Sequence, residues 1–339
     1  MFRMLGALIT AFESLTNCAH LRRPPTQRVD RDLNLVVDEI RVEGQDVRSF
    51  RLVAAGGEKL PSWQPGCHLD VLLPTGRRRQ YSLCGDPRDR GSYRIAVRRI
   101  AAGAGGSREL HDCVGTGSTL TARGPRNAFP YVRAGGYLFI AGGIGITPIL
   151  PMVKQAAADG APWQLVYTGR SRASMPFLDE LSELDPARVR LRSYDECGFP
   201  PSGSEILQYA PDRATVYCCG PAPIIANVRR DLPDSAAQAL HFERFTAPPI
   251  VDGQPFEIAL TRSNRVLTVP PDRSALEAIR QQIPDIAYSC RQGFCGTCRT
   301  RVISGEVDHR DRVLTDRERT DTMTTCVSRS RGDQIVLDL

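Results

Sequence analysis

Four cysteines near the end of the chain carry the strongest chemical signal. Three stand in the run CRQGFCGTC at 290–298, and the fourth follows at Cys326. The spacing C-x4-C-x2-C with a distant fourth cysteine is that of plant-type [2Fe–2S] ligands, in which four thiolates bind two irons. We therefore predict a cluster held by Cys290, Cys295, Cys298 and Cys326. The alternative, structural zinc, usually uses two close pairs of ligands, and this run offers one pair with two outlying cysteines.

A glycine-rich turn in the middle of the chain is a candidate nucleotide site. GGIGITP at 142–148 follows the apolar run YLFIA and precedes a predicted helix. Glycines such as Gly143 and Gly145 let the backbone approach a pyrophosphate, and a helix N-terminus favours its negative charge. Pro148 suits the first position of that helix. A tight strand–helix connection without a ligand is the plainer interpretation of the same turn.

Two later turns fit the same nucleotide. CCGP at 218–221 ends another apolar run, and ligands of parallel sheets bind at the carboxyl ends of the strands. Cys219 is then a candidate neighbour of the nicotinamide ring, although a buried, inert thiol fits the sequence as well. GRSR at 169–172 offers Arg170, Ser171 and Arg172 to the adenosine ribose, or presents ordinary solvated arginines.

Two segments of the strand-rich N-terminal part of the chain could hold a flavin. RQYSLC at 79–84 sets an aromatic residue and a serine beside an arginine, a combination that can stack on a ring and bind a phosphate. GAGGS at 103–107 can form a nest of backbone amides with the Ser107 hydroxyl. Taken alone, the first segment is more simply a β-strand with a surface arginine and the second a flexible loop.

Composition limits the class of protein. The chain has 339 residues, 41% of them hydrophobic and 24% charged, with a net charge of +6. These values predict a soluble globular protein of two or three domains and exclude a disordered, collagen-like or membrane-bundle chain. No apolar run reaches the ~18 residues of a spanning helix, and no basic stretch alternates with aromatic residues, so we expect neither membrane insertion nor a nucleic-acid partner.

The first 32 residues read as an extension that precedes the globular part. MFRMLGALITAFESLTNCAH has a loose likeness to a signal peptide, but Glu13 interrupts its apolar region and Asn17 suits a lipoprotein cleavage site poorly. The eleven cysteines are too sparse for a secreted disulfide framework. We therefore expect a cytoplasmic protein with a flexible N-terminal extension.

Three kinds of pattern follow one another along the rest of the chain. Residues 33–132 contain six short strand-like runs separated by turns, which predicts an antiparallel β-barrel or β-sandwich. Residues 133–245 alternate apolar strands with helices, which predicts a parallel α/β sheet. HFERFTAPPIVDGQP reads as a connecting segment with 246–254 as the linker, and 255–339 combine a hairpin, a helix with Ser274 as N-cap, the cysteine cluster and closing strands.

Together these motifs resemble the phthalate dioxygenase reductase family, including reductase subunits of vanillate O-demethylase. The resemblance covers residues 33–339 in order and includes RQYSLC, GPRNAFP, GGIGITP, YCCGP, HFERF and CRQGFCGTC. It implies a multidomain fold: a flavin-binding β-barrel, an NAD-binding α/β domain and a plant-type ferredoxin domain of the β-grasp class. It also implies FMN rather than FAD and NADH rather than NADPH, although Arg170 and Arg172 could meet the extra phosphate of NADPH.

The resemblance assigns roles to residues of this sequence. The implied flavin-binding residues are Arg79, Tyr81, Ser82, Val97, Arg98, Gly105, Gly106, Ser107 and Phe245. The implied NADH-binding residues are Gly143, Gly145, Pro148, Cys219, Gly220 and Pro221, to which Arg170 and Ser171 are added at the ribose. Thr147 at the flavin edge and Cys219 beside the nicotinamide are the expected catalytic residues. Ala104 departs from the family, which usually has an arginine in its phosphate loop.

The implied function is electron transfer. NADH supplies electrons in pairs and a [2Fe–2S] cluster accepts them singly, so a flavin is needed between them. We expect a monomeric, NADH-dependent reductase for a terminal oxygenase, most simply a Rieske-type aromatic oxygenase or O-demethylase. A reductase of a cytochrome P450 and a non-enzymatic redox sensor remain alternatives. The partner is expected to dock around the cluster loop, with Arg291, Phe294 and Arg299 as candidates.

Overall fold

Six antiparallel strands form the first domain of the protein, for which we use a computed structural model. The strands are β1 (Asp32–Gly44), β2 (Val47–Ala54), β3 (Cys67–Leu72), β4 (Arg78–Ser82), β5 (Ser92–Arg98) and β6 (Thr119–Asn127). Their order is β4-β3-β6-β1-β2-β5, and a bridge between Leu83 and Ile95 joins the two outer strands. The sheet therefore closes into the predicted barrel around an apolar interior that includes Phe50, Leu69 and Tyr93.

The structure describes residues 32–101, 105–198, 200–245, 250–284, 286–288 and 290–339. The expected N-terminal extension, apart from Asp32, lies outside these residues, as do Ala104 and the linker positions 246–249. Leu33–Leu339 forms one compact unit. None of the helices in the described ranges has the length and apolarity needed to cross a bilayer.

A five-stranded parallel sheet forms the second domain, as expected. Its strands are β7 (Tyr137–Gly142), β8 (Trp163–Gly169), β9 (Val189–Ser193), β10 (Thr215–Cys219) and β11 (Ala239–Glu243), in the order β11-β10-β7-β8-β9. The start of HFERF was predicted as part of a connecting segment, and this was wrong. Residues Ala239–Glu243 pair in parallel with β10. The prolines and glycine further along this segment suggested a connection, whereas the predicted domain boundary at residue 245 lies after β11.

Helices pack on both faces of the parallel sheet and on the barrel. They are α1 (Gly106–Cys113), α2 (Ile146–Ala158), α3 (Leu178–Ser182), α4 (Tyr194–Cys197), α5 (Gly203–Leu207) and α6 (Ala222–Asp231). Pro148 was predicted at the first helical position but stands third in α2, because a 3-10 turn over Gly143–Gly145 runs directly into the helix. It remains in the first turn, where a missing N–H breaks no helical bond.

The third domain is a small mixed sheet with one helix. Its strands are β12 (Phe256–Leu260), β13 (Arg265–Val269), β14 (Arg299–Ser304), β15 (Val307–Asp308), β16 (Thr322–Thr324), β17 (Arg329–Ser330) and β18 (Gln334–Leu337). Five of them pair in the order β13-β12-β18-β14-β16. Ser274 is the N-cap of helix α7 (Ala275–Gln282), as predicted, and its hydroxyl accepts from the Glu277 N–H at 3.2 Å.

The expected multidomain fold is thus confirmed, with one sheet in each of the first two predicted segments and a five-stranded and a two-stranded sheet in the third. The exact boundaries at residues 132, 245 and 254 stay predictions. Arg94 of the barrel pairs with Glu180 of the second domain, which also binds Lys154. This ion-pair network fixes the barrel against the parallel sheet.

Candidate functional site

The four predicted cluster cysteines come together in two pairs. The thiol of Cys290 lies within hydrogen-bonding distance of Cys295, and that of Cys298 lies within the same distance of Cys326. Two pairs of thiolates are what a cluster of two irons needs, since each iron takes two. A single ion would instead need three or four ligands around one point, and the described part of the chain holds no such group.

The backbone of the cysteine loop already points its amides at the sulfurs. The N–H of Gln292 donates to Cys290 Sγ at 3.3 Å, and the N–H of Thr297 donates to Cys295 Sγ at 3.5 Å. Gly293 and Gly296 have φ values of +77° and +70°, in the region that disfavours any side chain. The donor set and its surrounding amides therefore fit a [2Fe–2S] cluster, which they would hold and whose potential they would tune.

The predicted flavin residues of β4 and β5 lie on neighbouring parts of the closed barrel. Tyr81 is half-buried, Ser82 is buried, and Arg79 lies at the start of the same strand. Val97 is buried at the end of β5, and Arg98 follows it. Because Leu83 bridges to Ile95, the end of β4 lies beside β5 on the barrel.

The start of α1 is built to receive a phosphate. No side chain caps this helix, and Gly105 precedes it with a φ of +87°. A Cβ on Gly106 would lie 2.8 Å from Arg79 Nε, so the arginine packs directly over the first turn. Uncapped N–H groups beside a guanidinium form an anion site. Ser107 is less available than expected, since its hydroxyl accepts from the Ile100 N–H at 3.1 Å.

Sequence reasoning missed three residues that support this phosphate cradle. Glu109 is buried and accepts from the Thr75 backbone N–H at 2.6 Å and from its hydroxyl at 2.7 Å. Arg77 lies 3.5 Å from the same carboxylate and next to Gly105. The run GRRRQ at 76–80 carried a signal for Arg77, because adjacent strand residues alternate in direction and only some of these arginines can face the ligand.

The two nucleotide turns of the parallel sheet press against each other. A Cβ on Gly145 would lie 2.2 Å from the Cys219 carbonyl oxygen, and one on Gly220 would lie 3.0 Å from Gly142 Cα. Pro221 lies against Gly142 as well. Thr147 is buried and donates to the Ile144 carbonyl at 3.0 Å. The predicted nicotinamide residues are therefore neighbours at the carboxyl ends of β7 and β10.

The burial and the protonation state of Cys219 are those of a residue that packs and does not react. It is almost completely buried, and burial raises the pKa of its thiol well above the ordinary value. A neutral thiol is a small apolar group beside a ring and not a nucleophile.

Glu243 was missed by sequence reasoning and lies beside this thiol. It pairs with Cys219 across β10 and β11, is buried, and has Oε2 without a hydrogen-bond partner. Burial raises the pKa of its carboxyl to about 8, so it is neutral near pH 7.

The predicted ribose residues lie at the carboxyl end of β8. Arg170 is exposed. Ser171 precedes a short 3-10 turn over Arg172–Ser174, and its backbone N–H donates to the Ser174 hydroxyl at 3.2 Å. Arg172 is held by Glu196, with Nε 2.8 Å from Oε1 and 3.0 Å from Oε2. Glu196 therefore places a carboxylate beside the predicted ribose residues.

Contacts between domains bring the three predicted sites together. Arg98 of the barrel approaches Gly143, since a Cβ there would lie 3.6 Å from Arg98 Nη1. Tyr288, which precedes the cluster loop, donates its hydroxyl to the Arg78 carbonyl of β4 at 3.4 Å. The predicted flavin strands therefore contact both the nucleotide turn and the segment that leads into the cluster loop. Phe245 follows β11, and its ring is 50% exposed, so it is not packed into the core of either domain.

Comparison with known proteins agrees with this arrangement. The family of 2Fe-2S iron-sulfur cluster binding domains matches residues 258–331. Phthalate dioxygenase reductase of Burkholderia cepacia is 36% identical over 93% of this chain and 99% of its own. The chain belongs to the phthalate dioxygenase reductase family. As a member, it is an NADH-dependent flavin and iron–sulfur oxidoreductase, the reductase component of an oxygenase system, and the expected cofactors FMN, NADH and [2Fe–2S] are confirmed.

Solved structures extend the comparison to the whole family fold. A phthalate dioxygenase reductase described as modular, with electron transfer from pyridine nucleotides to [2Fe–2S], has a TM-score of 0.70 and 36% identity, and the match covers 91% of this chain and 98% of that one. An intact type IV self-sufficient cytochrome P450 monooxygenase has a TM-score of 0.71 and 36% identity. The match covers 94% of this chain, which spans only 43% of that longer protein.

Two of the three residues predicted to dock the partner protein form ion pairs within this chain. Arg291 pairs with Glu277, and Arg299 Nη1 lies 3.1 Å from Glu318 Oε1. Phe294 is half-buried on the cluster loop. Docking through these residues stays a prediction.

Proposed function

We propose that this reductase delivers its electrons to a Rieske-type oxygenase that acts on an aromatic compound, by hydroxylation or O-demethylation. The observation that supports this acceptor most is the near-complete match to a phthalate dioxygenase reductase, which covers 93% of this chain and 99% of the relative. We also propose that the protein works in the cytoplasm as a monomer. Its residues Thr147, Cys219 and Phe245 are proposed to contact the reacting rings.

The work of the chain is positioning. When bound, the flavin accepts a hydride from NADH and passes electrons one at a time to the [2Fe–2S] cluster. Gly145 and Gly220 let the two nucleotide turns pack closely, because a side chain at either position would meet the backbone of the other turn. The buried Thr147 and the neutral Cys219 exclude water there without offering a competing nucleophile.

The charges at each end of the site favour this assignment of ligands. The uncapped start of α1 with Arg77 and Arg79 would hold the FMN phosphate, and the loss of an arginine at position 104 is offset by Arg77. Glu196 neutralises Arg172, one of the two arginines that could meet the extra phosphate of NADPH, and its carboxylate would repel that phosphate. We therefore expect kcat/KM for NADH to exceed that for NADPH.

A second acceptor, a cytochrome P450, is favoured by one observation. The same three-domain arrangement occurs within a self-sufficient P450 monooxygenase whose similarity covers 94% of this chain. The reactions within the reductase would be unchanged, so the difference lies in the surface that meets the acceptor.

Reconstitution separates the acceptors. The purified reductase is mixed with a purified Rieske-type aromatic oxygenase or with a bacterial P450, and the product formed per NADH oxidised is measured. We expect product coupled to NADH with the Rieske oxygenase and uncoupled NADH oxidation with the P450. Coupling with the P450 alone would overturn the proposed acceptor. A redox sensor would show slow NADH-to-cytochrome c turnover, so a steady-state assay tests that alternative in the same experiment.

A further inference from the structure

A cavity of about 510 Å³ lies between the parallel-sheet domain and the ferredoxin domain, away from the nucleotide turns. Its volume is in the range of small-molecule sites. Its walls come from the segment after β6, from β11 and α6, and from the cluster loop and the segment after β15. Cys326, a cluster ligand, lies at one side of it. No role in the proposed electron transfer requires this space.

Four arginines line the cavity: Arg229, Arg244, Arg310 and Arg312. Arg310 is paired, with Nε 2.6 Å from Asp308 Oδ2. Within the described ranges, no carboxylate lies within 4 Å of the other three guanidinium groups. The cavity therefore carries about three positive charges without a neighbouring negative charge.

Two of these arginines, Arg229 and Arg312, are exposed, and Arg244 between them is half-buried. The guanidinium carbons of Arg229 and Arg244 each lie 5.4 Å from the centre of the Phe242 ring. Arg244 Nε is buried without a hydrogen-bond partner. Burial, with Arg229 and Arg312 as neighbouring like charges, lowers the pKa of Arg244. Like charges held together in a partly desolvated place are stabilised by an anion.

The remaining walls are apolar. Phe129, Phe242, Phe294 and Ile250 line the same cavity. An inorganic phosphate would leave these side chains without contacts, whereas a ring or short hydrocarbon would fill the space beside them. The combination of guanidinium groups and aromatic walls is that of a site for an organic acid.

We propose that this cavity binds a small organic anion, in which a carboxylate is attached to an apolar ring or chain. The carboxylate pairs with Arg229, Arg244 and Arg312, and the apolar part packs against Phe242 and Phe294. Since the walls belong to two domains, a bound anion ties the ferredoxin domain to the nucleotide domain.

Titration calorimetry with the holoprotein at constant ionic strength tests this site. Benzoate carries both features, benzyl alcohol has the ring without the charge, and acetate has the charge without the ring. Each is measured in the presence of saturating NAD, which keeps the nucleotide site filled. We expect benzoate to bind at least about tenfold more tightly than either comparator, because charge pairing and apolar burial act together.

Substitutions locate the binding. R229Q and R312Q each remove one positive charge from the cavity, and we expect each to weaken benzoate binding by about fivefold. R230Q is the matched control, since Arg230 is the next residue of α6, is paired with Asp231 and does not line the cavity. It should leave the affinity unchanged. Equal binding of benzoate and acetate, or an equal loss in R230Q and R229Q, would overturn the proposal.

Discussion

Replacing Glu243 by glutamine tests whether the buried carboxyl beside Cys219 is neutral. Burial raises its pKa from 4.5 to about 8 in the folded protein. Such a group favours the folded state least at high pH, because the unfolded carboxyl ionises above pH 4.5 while the folded one stays protonated up to about pH 8. The wild type should therefore lose stability as the pH rises through this window, and the E243Q variant should not.

The size of the effect follows from the two pKa values. Integrating the difference in bound protons gives a loss of about 1 kcal/mol at pH 5 and about 3 kcal/mol at pH 7. The stability of E243Q relative to wild type should thus increase by about 2 to 3 kcal/mol between these pH values. Glutamine has the same shape as the protonated carboxyl, so packing changes little.

Urea unfolding measures this difference domain by domain. In a Trp63→Phe background, Trp163 in β8 remains the only tryptophan of the chain and reports on the parallel-sheet domain. E205Q is the control with the opposite sign, because hydrogen bonds from Ser202 lower the pKa of this exposed carboxyl. E205Q should be less stable than the wild type at neutral pH, and this difference should shrink on acidification, as the wild-type carboxyl becomes protonated. Identical pH dependence in wild type and E243Q would refute the reasoning for Glu243.

Further predictions concern the three domains in turn. Gly145→Ala places a Cβ about 2.2 Å from the Cys219 carbonyl oxygen, so the two nucleotide turns must separate. We expect the KM for NADH to rise more than tenfold in steady-state kinetics. An unchanged KM would contradict the packing described. Cys326→Ser should remove the visible absorbance of the cluster and reduction of cytochrome c while NADH–ferricyanide activity of the flavin persists; loss of both activities would count against a cluster placed after the flavin. Ser274→Ala removes the bonds of the capping box with Glu277 and should cost the ferredoxin domain about 1 kcal/mol in denaturant unfolding, whereas a Ser274→Asp control should retain most of it.

Features with strict covalent or steric requirements were predictable from the sequence. Four thiolates can bind two irons only at a narrow set of spacings, so Cys290–Cys298 and Cys326 identified the cluster. The turns at Gly143 and Gly220 follow long apolar strands, which made their position at the end of a parallel sheet clear.

Features that depend on tertiary packing were not predictable. Glu243 looks like an ordinary surface carboxylate in HFERF, and only the pairing of β11 with β10 buries it. Helix α1 has eight residues and a glycine at its start, too little local signal to predict a helix. Its anion site arises because Arg79 and Arg77, about thirty positions earlier in the chain, are brought over it by the barrel.

The contacts between domains have a consequence for engineering. The barrel and the parallel sheet are locked by the charges around Glu180, whereas the cluster loop reaches them through the Gln292 amide at the Arg244 carbonyl and the Tyr288 hydroxyl at the Arg78 carbonyl. A graft that exchanges everything after Asp252 for a foreign ferredoxin would have to recreate these side-chain contacts to backbone oxygens. Exchange of the ferredoxin domain at this position is thus a simple way in which one pair of flavin and nucleotide domains can come to serve many oxygenases.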